Sequence, residues 1–512
     1  MGTWAKAPSP RHQLVLISQT ADDLVADDHP VRLLAAFLDE MDWRAWEAKY
    51  DRRRGQPPIH PKLMAGAILY GLVRRIRSSR DLEEATRERL DYIWFLSGRT
   101  IDHSTFAAFR TQFEEQLKDL NRQISRAIVA RAKPALVELI MDGTRLRANS
   151  DRHGARTAAC LEKLVAACAE QLNRKLEELG REDGDDPQAL RQQIAELEAR
   201  CDKYRTALDR AGERDAAKQE ISGKKATPVR VPVTDPDASI QPNKEGGFAP
   251  NYTPTAAVES TSGAIVSSHV VAGNNECDAV ETTIRDSEET LGQKPDRLLA
   301  DGGFAKGAHL EALEADGIEA YMPVGADFRD ANPANRADPT QPVAREHWDR
   351  LPRTGKKIDK RAFLYEPQED VYYCPMGRRL NKHRQGRYKR TGIAYRAYVC
   401  PGKDGCPLAD QCVKAKAARR QIARDQYQDV RDRVGRRMAG KAGQTIYRKR
   451  APSIEGVFAV IKQTMGIRQF LLRGLKKVRH EWQWICGAYN MRKMLALLAA
   501  NPPGANPMET GA

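Results

Sequence analysis

Residues 135–148 read ALVELIMDGTRLRA. An apolar run rich in Leu, Val and Ile ends at Asp142, directly before Gly143. Such a run, bounded by a turn signal, predicts a buried β-strand. Open α/β sheets hold their ligands at the carboxyl ends of strands, and a glycine there lets a ligand come close. One Asp-Gly pair is also a routine turn. The context recurs in DRLLADGGFA (296–305), a short apolar run ending at Asp301 before Gly302 and Gly303. Between the two lie NYTPTAAVES (251–260) and AIVSSHVVAG (264–273), closely spaced strand candidates. DAVETTIRDSEETLG and KGAHLEALEADG read as helices, and IEAYMPV as a last strand. The order strand, strand, strand, helix, strand, helix, strand predicts a mixed sheet flanked by helices, an α/β domain.

The whole chain has 512 residues, which exceeds a single simple core and implies several domains or large insertions. With 41% hydrophobic and 30% charged residues it reads as a folded, soluble protein. The formal net charge of +15 makes a polyanion such as nucleic acid the leading partner class; the alternative is a basic protein with no such partner. No apolar leader stands in MGTWAKAPSPRHQ, and the longest apolar runs, such as LALLAA, are too short to span a bilayer. Nine cysteines, an odd number in a long chain, do not resemble a secreted disulfide scaffold. The expectation is a cytoplasmic protein with no membrane partner.

Residues 1–130 have helical periodicity, with Arg74, Arg75, Arg77 and Arg80 crowding one stretch. A basic helix-turn-helix suits DNA; the alternative is a solvated face on a dimerisation domain. In DHSTFAAFRTQF, Ser104 or Thr105 is the candidate helix cap. Residues 156–222 form a helical-hairpin insertion. Its second half has a seam of Leu190, Ile194, Leu197, Cys201, Tyr204 and Leu208, and GREDGDDP is the turn between the halves. A second insertion, 326–446, is basic and carries Cys374, Cys400, Cys406 and Cys412 with spacing C-x25-C-x5-C-x5-C. Four thiolates can close a tetrahedral Zn²⁺ site and staple a loop-rich insertion. The alternative is four reduced cysteines held by packing. Cys160, Cys168, Cys201, Cys277 and Cys486 read as core or seam residues. The basic stretches 378–390, 414–420 and 468–479 are candidate phosphate contacts.

A third carboxylate stands in APSIEGVFAVIKQ (451–463). With Ser453 as cap and Pro452 just outside, Glu455 falls at a helix start. Taken alone it is a first-turn carboxylate. Set beside Asp142 and Asp301 it completes an oxygen donor set for two Mg²⁺ ions about 3.5–4 Å apart, suited to attack at phosphate. Lys462 follows Glu455 by seven residues, two helical turns, so both side chains share a face. A rival for the third place is Glu481 in VRHEWQWICGAYN.

DGTRLRA, ADGGFAKGAHLEAL with EAYMP, and YRKRAPSIEGVFAVIKQTMGIRQFLLRGLKKVRHEWQWICGAYNMRKML together resemble DDE transposases of bacterial insertion sequences, the family 1182 type. HPVRLLAAFLDEMDW through PPIHPKLMAGAILYG resembles their InsH-type N-terminal domain. The resemblance implies a ribonuclease-H-like catalytic core with catalytic and metal-binding Asp142, Asp301 and Glu455. It divides the chain into a helical DNA-binding or dimerisation domain (1–130), the core's first part (131–325), the Cys-containing insertion (326–446) and the core's last part (447–500). It implies Mg²⁺ or Mn²⁺ as cofactor, double-stranded DNA at element ends and target as partner, a homodimer in the DNA complex, and a nucleoid location. The implied reaction is cleavage that frees a 3′-hydroxyl, followed by attack of that hydroxyl on target DNA. Such enzymes carry a Tyr-Arg-Glu-Lys signature, Y-x2-R-x3-E-x6-K. Here Tyr447, Arg450, Glu455 and Lys462 give Y-x2-R-x4-E-x6-K, and Pro452 predicts that Arg450 precedes the helix, where a loop absorbs the extra residue. Tyr447, Arg450, Lys462, Arg468, Arg473, Arg74, Arg75 and Arg77 are then the expected DNA contacts. Two other readings are an inert domesticated relative that only binds DNA and a metal-dependent nuclease that cuts without joining.

Overall fold

The ALVELIMDG run forms β1 (Glu138–Gly143), the central strand of a seven-stranded sheet. The computed structural model describes residues 20, 22–50, 57–180, 187–222, 227–243, 246–271, 273, 276–325 and 327–500. The GREDGDDP turn falls almost wholly outside them. The chain divides into two units, Met1–Leu120 with Gly487–Ala512, and Asn121–Cys486.

In the first unit the helices Pro30–Asp39, Pro61–Val73, Ser79–Glu88, Leu90–Phe95 and His103–Gln112 enclose Leu34, Phe37, Ile68, Tyr92 and Phe106. The cap of the last helix is Asp102, not Ser104 or Thr105: its carboxylate accepts both their backbone N–H groups, at 2.9 and 3.0 Å. Arg74 and Arg75 are exposed, but they and Arg77 sit in the turn after Val73, with Arg75 at φ 66°, not along a helix face.

In the second unit β2 (Phe248–Glu259) pairs antiparallel with β1 and with β3 (Ile265–Val271). β4 (Arg297–Leu299) pairs parallel with β1, and β5 (Glu319–Tyr321) parallel with β4. The order β3-β2-β1-β4-β5, with short strands Leu146–Arg147 and Ser239–Pro242 added to β2, is a mixed sheet consistent with a ribonuclease-H-like core. Side chains alternate across the sheet. Leu139 and Met141 of β1 and Val137 just before it, with Leu298 and Ala300, pack with Val280 and Ile284 of α1 (Ala279–Leu291) and Leu310 and Leu313 of α2 (Gly307–Ala315). Asp142 and Asp301 therefore project from the opposite face, where α3 (Arg450–Ala459) packs on β1.

The hairpin helices Ala158–Leu179 and Pro187–Ser222 bury Leu190, Ile194 and Cys201 of the expected seam. Cys168 and Cys201, read from sequence as plain seam residues, are joined by a disulfide across it. The second insertion folds as a five-stranded antiparallel sheet from Leu364–Glu366 to Gln421–Asp425, around Tyr372, Leu380, Tyr398 and Ile422.

Candidate active site

The parallel register of β1 and β4 sets the site. Leu139 lies opposite Leu298 and Ile140 opposite Leu299, so two residues further along Asp142 and Asp301 end side by side. Each carboxylate is oriented by a nearby backbone N–H: Gly143 donates to Asp142 Oδ1 at 2.8 Å, and Gly303 to Asp301 Oδ1 at 2.7 Å. Arg450 Nη1 donates to Asp142 Oδ2 at 2.9 Å, and the two side chains are only 15% and 17% exposed. Burial nonetheless pushes the Asp142 carboxyl above the ordinary range; Arg450 opposes this and the charge on Asp301 adds to it.

α3 begins at Arg450, which corrects the sequence reading. Arg450 is in the helix, and Pro452 occupies its first turn, where a missing N–H costs no helical bond. Ser453 does not cap; its hydroxyl donates to the Lys449 carbonyl at 2.9 Å. Arg450 thus heads the buried stripe Ile454, Val457, Phe458 and Ile461, which turns its guanidinium onto the sheet. Tyr447 neighbours it, and Lys449 pairs with buried Glu138 at 3.4 Å, tying the helix start along β1. Glu455 is five residues on, about 140° around the helix from Arg450, and is exposed. Lys462 lies in a π-helical turn, Val460–Thr464, and its Nζ donates to Thr144 Oγ1, two residues beyond Asp142. Single π turns recur at functional sites.

The structure therefore gathers Asp142, Asp301, Arg450 and Lys462 at one strand end, with Glu455 on the same helix but facing solvent. Glu481, the rival carboxylate, accepts the Leu471 and Leu472 N–H groups at 2.9 and 2.8 Å and so anchors a loop. Arg468 and Arg473 are exposed; Arg468 donates to Gln463, and Arg473 to the Asn149 carbonyl at 2.8 Å. Two residues of the basic stretches bond to backbone carbonyls. Arg378 donates to the Asp404 and Gly405 carbonyls at 3.1 and 2.7 Å, and Arg420 to that of Ile358 at 3.1 Å.

Sequence reasoning missed Glu276, in the turn before α1. Its carboxylate lies against the Cα of Gly143: a Cβ built there would stand 2.1 Å from Oε2. Burial first, then the charges of Asp142 and Asp301, push its carboxyl up to about 7. The only sequence signal was a glutamate in the polar stretch NNEC, which has no periodicity to mark it. A set of carboxylate oxygens suits a hard divalent cation, and the missing side chain of Gly143 makes room for the Glu276 carboxylate. As the side chains stand, no group of three or more His, Cys, Asp or Glu among the described residues is arranged to hold a metal ion.

That holds for the cysteines too. Cys374 and Cys400 are buried, and Cys406 and Cys412 pack against the same core. Burial pushes the Cys412 thiol up to about 11, and its three cysteine neighbours add to the effect. The Arg420 N–H donates to Cys400 Sγ at 3.2 Å.

Residues 373–495 match the transposase DDE domain family, and residues 19–112 match the transposase domain family DUF772. Together with the mixed sheet these matches support a DDE-type transposase of the insertion-sequence kind, an enzyme that acts on DNA. Glu455 and Lys462 lie within the first match, whereas Asp142 and Asp301 lie between the two. A search of the curated proteins gave no match. Among the described residues no helix is long and apolar enough to cross a membrane.

Proposed function

We propose that the protein cuts DNA at the ends of an insertion sequence of the family 1182 type and joins the freed ends to target DNA. The observation that carries this is the placement of Asp142 and Asp301 on adjacent parallel strand ends, beneath the helix that bears Arg450 and Glu455. Asp142, Asp301 and Glu455 would hold Mg²⁺ or Mn²⁺, which when bound favours attack at phosphorus and offsets charge on the phosphate. Arg450 orients the Asp142 carboxylate through its bond to Oδ2. Lys462, steadied by Thr144, presents an ammonium beside the strand end, where a DNA phosphate can pair with it. Tyr447, Arg468 and Arg473 extend that surface along the backbone of the same DNA, and Arg74, Arg75 and Arg77 supply a second basic surface on the first unit. The active form is a homodimer that holds two element ends.

The test uses the full chain, Mg²⁺ and a duplex carrying the element's own terminal repeats, with wild type beside Asp301→Ala. Wild type is expected to nick the end and transfer it to a second duplex, and Asp301→Ala to do neither. Cutting without transfer would replace the proposal with a nuclease. Glu455→Gln is expected to lose cleavage by about 10²-fold or more while DNA affinity stays within about twofold, since it removes one oxygen charge and no phosphate contact. Full cleavage by that variant would remove Glu455 from the site.

We also propose that Cys374, Cys400, Cys406 and Cys412 take up one structural Zn²⁺. The four are gathered in one core, and four thiolates can hold a tetrahedral Zn²⁺. Elemental analysis of protein purified without chelators is expected to give one equivalent of zinc. A content below half an equivalent would count against the site.

A further inference from the structure

We infer that the hairpin of β6 (Arg379–Arg387) and β7 (Ala394–Val399) is a DNA-reading arm whose tip enters the major groove of the element-end duplex. The inference rests on the proposed reading of the protein as an enzyme of DNA ends. From 371 to 403 the chain holds nine Lys and Arg and no Asp or Glu, so this stretch carries a field of one sign. All residues from 381 to 392 are exposed. The strand before β6 pairs with it only at Arg379 and Leu380, and β8 (Gln421–Asp425) pairs with β7 only from Tyr395 to Val399. Among the described residues β6 therefore has an open outer edge from Asn381 onward, and 388–393 close the hairpin as a two-stranded tip. There the Tyr388 N–H donates to the Ile393 carbonyl at 3.0 Å, and the Gly392 N–H to the Tyr388 carbonyl at 2.8 Å.

Cross-strand partners share a sheet face, so Arg384, opposite Ala397, and Gly386, opposite Tyr395, lie on the same side. On that side Tyr388 stacks on Tyr395, with ring centroids 4.5 Å apart, and stays 40% exposed. On the other side the cations are already engaged. Arg396 pairs with Asp370 at 3.0 Å, and Arg387 donates to the Gly392 carbonyl at 2.9 Å. The Asp425 carboxylate, opposite Tyr395, is held by Arg431 at 2.8 and 2.9 Å. Among the described residues Lys382, Arg384, Lys389 and Arg390 have no carboxylate within ion-pair distance. Cations on an open edge also keep it from pairing with another chain. That accounts for Lys382 and Arg384, but not for Lys389, Arg390 and an exposed aromatic stack at the tip. Unpaired cations around such a stack suit a polyanion that also offers base edges. Two strands about 4.8 Å apart, with their side chains, fill a major groove about 12 Å wide and are too broad for a minor groove of about 6 Å. The bulge between Lys382 and Arg384 adds twist, which lets the ribbon follow the groove. Lys382 and Arg384, further down the open edge, then meet phosphates at the rim.

The test is fluorescence anisotropy of the full chain on a duplex carrying the element's terminal repeat, over a range of salt. The variant with Lys382→Gln, Arg384→Gln, Lys389→Gln and Arg390→Gln is expected to bind about 30-fold more weakly, and its slope of log affinity on log salt to fall by about 2 or more. A control replaces four exposed cations of the helical hairpin, with Lys163→Gln, Arg174→Gln, Arg191→Gln and Lys203→Gln, and is expected to stay within about threefold of wild type. Guanine N7 atoms face the major groove, so wild type is expected to protect those of the repeat from dimethyl sulfate, and the saturating Gln variant to leave them open. A Gln variant that binds and protects as wild type does overturns the inference and leaves the proposed DNA chemistry standing. Equal losses in that variant and the control overturn it too, since net charge alone then carries the binding. Weaker binding with N7 protection unchanged overturns the groove placement. If wild type binds no duplex, the reading of the protein as a DNA enzyme falls and the inference with it. Should the Gln variant melt below wild type, the charge-keeping set Lys382→Arg, Arg384→Lys, Lys389→Arg and Arg390→Lys decides. Affinity near that of wild type supports the inference, and affinity as low as that of the Gln variant overturns it.

Discussion

Asp142→Asn is expected to lower Mg²⁺-dependent DNA cleavage by about 10³-fold or more, with DNA affinity and the fold largely kept. The exchange preserves the shape of the side chain, and its remaining amide oxygen can still accept from Arg450 Nη1, now 2.9 Å from Oδ2. What is lost is the negative charge of Asp142 beside Asp301. Arg450 then keeps a cation in a half-buried position with a neutral partner, which costs about 1–3 kcal/mol. That loss is small beside the effect on cleavage, so a moderate fall in unfolding free energy together with abolished cleavage is the expected signature. Cleavage rate on end DNA, fluorescence anisotropy for binding and a urea titration separate the three quantities. A variant that cleaves within tenfold of wild type would show that Asp142 is a structural partner of Arg450 and nothing more.

Asp142 and Asp301 were legible in the sequence because each closes an apolar run with an Asp-Gly step, and the parallel register converts two similar local contexts into one place. Strand ends are periodic features, so one-dimensional pattern suffices to find them. The start of α3 was misplaced for a reason equally local. Proline was taken as a boundary, but in the first turn of a helix its missing N–H removes nothing, so the helix runs back to Arg450. That shift decides where Arg450 points: inside the helix it lies on the stripe of Ile454 and Val457 and meets Asp142. Glu276 was illegible for the opposite reason. It sits in an irregular turn, and its meaning depends on Gly143, 133 positions earlier in the chain, and on the turn after Asp301. No spacing rule links these positions, because the helical-hairpin insertion and a strand crossover intervene. The arginines after Val73 show a third case: composition revealed the charge, but only the backbone shows it gathered at a turn, with Arg75 in the left-handed region.

The largest effect on stability is expected at Trp482, whose replacement by Ala should cost about 3–5 kcal/mol. Trp482 is fully buried and meets Phe470 edge-on, with ring centroids 6.5 Å apart. Its indole Nε1–H donates to the Thr255 carbonyl at 3.0 Å. Thr255 is the β2 residue paired with Gly143, the glycine beside Asp142. The indole thus supports the central strands at the register of the candidate site. Truncation removes that packing, leaves a cavity too large for neighbouring side chains to fill, and strands a buried carbonyl without its donor. Since folded domains are stable by about 5–15 kcal/mol in total, such a loss is a large share of the whole. Trp482→Phe retains an aromatic ring and forfeits the hydrogen bond, so about 1–2 kcal/mol is expected from that change. Urea unfolding of the three proteins measures both steps. The ordering Ala well below Phe, and Phe below wild type, follows if packing and the Thr255 bond act together. A cost under about 1 kcal/mol for Trp482→Ala would mean that the strand pair Gly143–Thr255 is held by its own ladder, and that the site's geometry does not depend on Trp482.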